Sequence, residues 1–203
     1  NLKLHGLHAH IGSQIFALHS FREAIDVMIQ FIKRINEEYN YEIEGLDLGG
    51  GLGIAYVKEE EPPTIESFAK LTCTAVKELC THYGVKEPRI AVEPGRSIAA
   101  TPGVTLYTVG ILKTLPGIRN IVAVDGGMSD NIRTALYGAE YESVIANKAN
   151  QPRTKVVTLV GKHCESGDAV AADASIQNPD LGDIVCMFGT GAYCHSMSSR
   201  YNG

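Results

Sequence analysis

The chain has 203 residues, 44% hydrophobic and 20% charged, a balance that supports a packed globular core. A formal net charge of -5 offers no electrostatic pull toward nucleic acid or an anionic membrane surface. No apolar run approaches the roughly 20 residues of a spanning helix, and NLKLHGLHAHIG lacks a signal-peptide pattern, so a soluble protein is expected.

Leu4 to Ile11 reads as a strand. Phe21, Ile25, Met28, Ile32 and Ile35 then recur at the three-and-four spacing of an amphipathic helix. Ile43 to Leu48 reads as a second, buried strand. Ile65, Phe68, Thr72, Val76 and Leu79 mark one face of a second helix, entered through Pro62, Pro63 and Thr64. Arg89 to Val92 is a third strand. After Pro102 the texture changes to short strand-like runs between turn residues: Val104 to Leu112, Ile121 to Val124, Thr154 to Val160, Asp168 to Ala171 and Asp183 to Phe188. The expected division is an α/β part over 1–103 and a β domain over 104–203. Three parallel strands cannot close an eight-stranded barrel, so the α/β part is either a small open unit or a piece of something larger.

Gly49, Gly50, Gly51 and Gly53 follow directly on the second strand. Glycine there lets consecutive backbone N–H groups approach an anion with no Cβ in the way, although a plain tight loop has the same composition. The spacing is not that of a dinucleotide fingerprint. Glu93, Pro94, Gly95 and Arg96 follow the third strand, which in a parallel arrangement puts a carboxylate and a guanidinium on the same edge as the glycines. That combination suggests a cofactor; a structural ion pair is the alternative. Strand alternation places His8 and His10 on one face and His5 on the other, with no further donors in prospect, so no metal site is expected. Five cysteines, an odd count without ligand-like pairs, fit a reducing compartment: the cytoplasm, or a plastid stroma if a transit peptide has been removed.

Taken together, HAHIGSQI (His8 to Ile15), LDLGGGLGI (Leu46 to Ile54), EPGR (Glu93 to Arg96), DGGMSDNIRTALYGAEY (Asp125 to Tyr141), CESGD (Cys164 to Asp168) and GDIVCMFGTGAYCHSMSSRYNG (Gly182 to Gly203) resemble, in order and spacing, the diaminopimelate decarboxylases. These are fold-type III, alanine-racemase-like, pyridoxal-phosphate-dependent decarboxylases. The resemblance implies the second part of a (β/α)8 TIM-like barrel carrying pyridoxal 5'-phosphate, then a C-terminal β-sandwich or barrel-like domain. It also implies a homodimer with shared active sites, acting on meso-diaminopimelate to give L-lysine. By resemblance His10 stacks on the cofactor ring, while Ser13, Gly50, Gly51 and Gly95 surround its phosphate. Glu93 pairs with the ring nitrogen, and Arg96 binds phosphate or substrate. Arg133 and Tyr137 bind substrate, Glu165 contacts a substrate amine, Tyr193 lies over phosphate and substrate, and Cys164 is the catalytic acid. Arg133 also suits the distal carboxylate of a substrate with two amino-acid heads.

The same resemblance puts the Schiff-base lysine in a Tyr-Ala-x-Lys strand ahead of the His10 motif and a last β strand beyond YNG. The chain is therefore expected to be a portion of a longer enzyme, inactive alone. Lys148 is expected to be a solvated loop residue, and His163 stands where the family has an apolar residue. Competing readings are a non-catalytic binding relative and a sister decarboxylase for another basic amino acid or carboxynorspermidine. A serine acyl-transfer site is a third, built on Ser67-Phe68-Ala69-Lys70 and Ser129-Asp130-Asn131, but its lysine-bearing third motif is missing.

Overall fold

Leu7, Leu46 and Ile90 lie side by side in a parallel three-stranded sheet of order β1-β2-β3, formed by β1 (Gly6–His8), β2 (Gly45–Asp47) and β3 (Arg89–Ala91). The computed structural model describes residues 2–202. The chain forms two units: residues through Ala55 with Glu61–Ser97, and Tyr56–Glu60 with the residues from Ile98 on.

In the first unit, α1 (His19–Tyr39) and α2 (Ile65–Tyr83) form the connections between the parallel strands. Phe21, Ile25, Met28, Ile29 and Ile32 bury one stripe of α1 in a core shared with Leu46, Leu48, Ala75, Val76 and Cys80. The inner face of α2 is Thr72, Ala75, Val76 and Cys80. Ile65, expected on that face, is exposed because it is the first helical residue and the chain is still arriving. Thr64 Oγ1 accepts the Ser67 N–H to cap α2, and Gly84 closes it in a left-handed conformation.

The strands are shorter than their apolar runs. β1 stops at His8 rather than continuing to Ile11, which is exposed. Past the ladder, single bonds persist: Ala9 N–H to Asp47 O, Leu48 N–H to Ala91 O and Glu93 N–H to Gly49 O. They keep the three C-terminal strand ends together after regular pairing ends.

The second unit carries a six-stranded sheet of order β6-β9-β4-β5-β7-β8. Its strands are β4 (Val104–Leu115), β5 (Arg119–Val124), β6 (Ser143–Ile145), β7 (Lys155–Val160), β8 (Ala169–Ile176) and β9 (Ile184–Phe188). β4 is long enough to pair twice: Val104 to Thr108 with β9, then Val109 to Leu115 with β5, the second stretch carrying a register irregularity at Gly110, between Val109 and Ile111. The elements that escaped the sequence patterns include β6, buried at all three residues and too short to alternate, and the helical turns α3 (Arg96–Ala99) and α4 (Arg133–Tyr137).

Asp168 and Asp183, expected to begin strands, are buried loop clamps instead. Asp168 accepts the N–H groups of Met128 (2.5 Å) and His163 (2.8 Å), and Asp183 accepts the Asp180 N–H (2.7 Å). A carboxylate has about four lone-pair sites, enough to satisfy several loop donors at once. Lys148 is not a solvated loop residue: its ammonium donates to Asp180 and Asp183, each at 2.6 Å, and to Asn178 O, with only 16% of the side chain exposed. Among the described residues no helix is long and apolar enough to cross a membrane.

Ile29→Ala removes a wholly buried side chain from the α/β core and is expected to cost about 2–5 kcal/mol, read by urea denaturation. Burial raises the Asp183 carboxyl, but the bonds from Lys148 and Asn147 outweigh it and leave the group below the usual carboxylate range. Its stabilisation is therefore present above the unfolded value of about 4 and is lost as pH falls further. Lys148→Met should lower stability at neutral pH and flatten that acid limb, measured as melting temperature against pH.

Candidate active site

The strand ends of the α/β unit gather seven of the sequence-predicted site residues. After β2 the chain turns through Gly49 (φ 65°), Gly50 and Gly51 (φ 102°), the first and third in a region that L side chains rarely adopt. Space excludes a side chain as firmly as torsion does. A Cβ on Gly50 would stand 2.4 Å from Glu93 O, and one on Gly51 would stand 2.3 Å from Gly12 O. The loop is thus pressed against the backbone that follows β1 and β3. Asp47 Oδ1 accepts the Gly49 N–H at 2.9 Å and pins its start.

His10 lies beyond β1, so strand alternation does not set its direction; a bond to the glycine loop does. The Gly50 N–H donates to His10 Nδ1 at 3.1 Å, so that nitrogen is an acceptor and a neutral ring carries its proton on Nε2. Arg96, at the start of α3, is buried, and its Nη2 donates to Ser13 Oγ at 2.9 Å. Gly95 leads directly into that helical turn.

Glu93 is exposed, and its Oε2 lies 3.1 Å from His8 Nε2. The expectation that His8 has no further donors beside it does not hold. Candidate ligand atoms of His8, Asp47 and Glu93 lie within 4.8 Å of one another, because β1, β2 and β3 end in register. These three residues could hold a metal ion. His5 sits apart, paired with Glu44.

In the β unit, Arg133 opens α4 and is buried, with Asn131 Oδ1 accepting its backbone N–H. Its guanidinium carbon is 5.5 Å from the Tyr56 ring centroid and 5.9 Å from those of Tyr137 and Tyr193. Cation–π attraction stabilises the cation here. Tyr193 has φ 64°, a conformation an aromatic residue holds only when its surroundings impose it. Tyr137 and Tyr193 are exposed, whereas Tyr56 is buried. Sequence reasoning missed Tyr56; its only signal is an aromatic residue two positions beyond the glycine motif.

Cys164 and Glu165 occupy the loop between β7 and β8. The Cys164 thiol is free and exposed. Asp168 holds the loop through the His163 N–H, and His163 Nε2 reaches Ser129 Oγ at 2.8 Å, which gives the unexpected histidine a polar partner. Glu165 accepts the Tyr201 hydroxyl at 3.0 Å; that bond, helped by the Gly167 N–H, holds its carboxyl below the usual range. The serine acyl-transfer reading loses its nucleophile: the Ser67 hydroxyl donates to Thr64 O within its own helix.

Residues 1–100 match the family model for the pyridoxal-dependent decarboxylase, pyridoxal-binding domain. All of the chain aligns at 43% identity with 46% of a Bacillus subtilis diaminopimelate decarboxylase, and at 44% with 47% of one from Mycobacterium tuberculosis. The solved diaminopimelate decarboxylase from M. jannaschii in co-complex with L-lysine superposes with TM-score 0.89 at 34% identity, over 98% of this chain and 44% of that one. The chain spans about half the length of the curated relatives it matches.

Tyr201→Phe should return the Glu165 carboxyl upward toward an ordinary value, since its largest stabilising bond is gone. A side-chain carboxyl NMR titration of both proteins reads the change.

Proposed function

The chain is a homologue of the pyridoxal-dependent decarboxylases along its whole length, and from that premise we propose that it is the cofactor- and substrate-holding portion of a diaminopimelate decarboxylase. The observation that carries the reading is the strand-end cluster of the α/β unit. There a buried Arg96 reaching Ser13 stands with a glycine loop too tight for any Cβ, with His10, and with Glu93. This donor set fits pyridoxal 5'-phosphate: a cation and hydroxyl for phosphate, a loop that admits close approach, a flat imidazole for the ring, and a carboxylate for its nitrogen.

When bound, pyridoxal phosphate supplies a conjugated ring that takes up the electron pair left by a departing α-carboxylate. The residues do the rest. Ser13, Gly50, Gly51, Gly95 and Arg96 hold the phosphate, with Gly50 contributing closeness, because its N–H is already given to His10. Glu93 keeps a proton at the ring nitrogen, and His10 lies against the ring. Arg133 and Tyr137 bind the substrate's distal carboxylate, Glu165 its distal amine, and Tyr193 flanks phosphate and substrate. Cys164 Sγ delivers a proton to the reacting carbon. L-Lysine, the product, retains the carboxylate that Arg133 would hold.

For the longer protein we propose a (β/α)8 barrel followed by a β domain, a homodimer that shares its active sites, and a cytoplasmic location. Lys148 is not a candidate for anchoring the cofactor, being committed to Asp180 and Asp183.

The test is carbon dioxide release from meso-diaminopimelate by the full-length protein saturated with pyridoxal phosphate. Release from that substrate, and none from ornithine or L-lysine, is the expected result; no release with cofactor bound removes the reading. In the same assay Cys164→Ala should lower kcat about 10²–10⁴-fold while KM changes little, as loss of a proton donor predicts.

A further inference from the structure

Arg133 is a buried cation that forms no ion pair with a carboxylate among the described residues, and its Nε is buried without a hydrogen-bond partner. Burying a charge uncompensated is costly, so something must hold the guanidinium. Three tyrosine rings surround it, and they are not equivalent. Tyr137 and Tyr193 are exposed, while Tyr56 is buried and lies nearest, at 5.5 Å.

Tyr56 is itself held by its neighbours. The Tyr141 ring packs edge-on against it at 5.2 Å and 77°, the Tyr56 N–H donates to Glu60 Oε2 at 2.6 Å, and Tyr56 O accepts the Glu142 N–H at 3.2 Å. Gly189 keeps its neighbourhood clear: a Cβ there would stand 3.1 Å from Tyr56 Cδ1. Tyr56–Glu60 belongs to the β unit although the residues on both sides of it in sequence belong to the α/β unit. This short excursion brings one aromatic ring to Arg133.

We propose that Tyr56 is the positioning residue for Arg133, holding the guanidinium by its π face so that the cation stays in place and un-neutralised, ready for the distal carboxylate of an amino-acid substrate. The inference rests on the reading of Arg133 given above. A carboxylate in the place of Tyr56 would stabilise the cation equally well but would compete with the substrate. An aromatic face attracts the cation through its quadrupole and leaves the N–H fork to the ligand. The ring acts through the guanidinium, so its effect is on binding.

The experiment compares Tyr56→Phe and Tyr56→Leu in the full-length, cofactor-saturated protein. L-Lysine and cadaverine, which lacks the carboxylate, serve as calorimetric probes, and meso-diaminopimelate as substrate. Tyr56→Phe keeps the π face and should behave as wild type. Tyr56→Leu should weaken L-lysine binding and raise KM about tenfold, the scale of one desolvated cation–π contact, with kcat and cadaverine affinity little changed. If Tyr56→Leu does not fold, Tyr56→Met keeps much of the ring's volume without its quadrupole and carries the same comparison. L-Lysine affinity equal in the Phe and aliphatic variants, or equal losses for lysine and cadaverine, would overturn the proposal. Wild-type protein that binds no L-lysine would instead overturn the functional reading beneath it.

Discussion

The site depends first on three backbone hydrogen bonds that outlast the parallel ladder. Regular pairing spans only three residues per strand, yet Ala9 still donates to Asp47, Leu48 to Ala91 and Glu93 to Gly49. Those bonds hold three loops so close that Gly50 and Gly51 have no room for a Cβ. Once the backbones are locked at that distance, His10 has the Gly50 N–H to accept, Arg96 has Ser13 to reach, and Glu93 has His8 beside it. The tight packing of Ile25, Ile29, Ile32 and Leu46 beneath the sheet keeps the strand ends from spreading.

The β unit solves a different problem, that of fixing irregular loops. It uses buried carboxylates. Asp168 gathers donors from two loops, including the one that carries Cys164 and Glu165, and Asp183 gathers Asp180, Asn147 and Lys148. Both are acceptor-only groups whose lone pairs match the unpaired N–H groups that loops carry, which is why each serves better at a strand entrance than within one. Arg133 is the complementary case: a buried cation that pairs with no carboxylate among the described residues and has three tyrosine rings around it, so that its charge is stabilised yet not spent.

Both long helices were legible in the sequence, because Phe21, Ile25, Met28 and Ile32, then Thr72 and Val76, repeat over enough turns to define a face. The strands were legible in position but not in extent. Apolar residues such as Ile11 continue beyond β1, and only partners in space decide where pairing stops. β6, α3 and α4 were not legible: five residues or fewer carry no period. In the site, the glycine cluster and the carboxylate–arginine pair announced themselves through the residue types that strand-end chemistry requires. The burial of Lys148, the polar partner of His163 and the proximity of Asp47 to His8 did not, since each pairs with residues remote in sequence.

Read alone, the sequence specifies the two long helices and the positions of the longer strands, which backbone must pass without side chains, and which residue types stand ready at the strand ends. These follow from local torsion, periodicity and the chemistry of single residues. Only the tertiary structure decided that Tyr56 leaves its neighbours to lie under Arg133, that Asp168 and Asp183 clamp loops rather than begin strands, and that His8 meets Glu93. Tyr56 with Arg133, Met128 with Asp168, Lys148 with Asp183 and His8 with Glu93 are tens of positions apart, and it is the packing of whole elements, not any local preference, that brings them within reach.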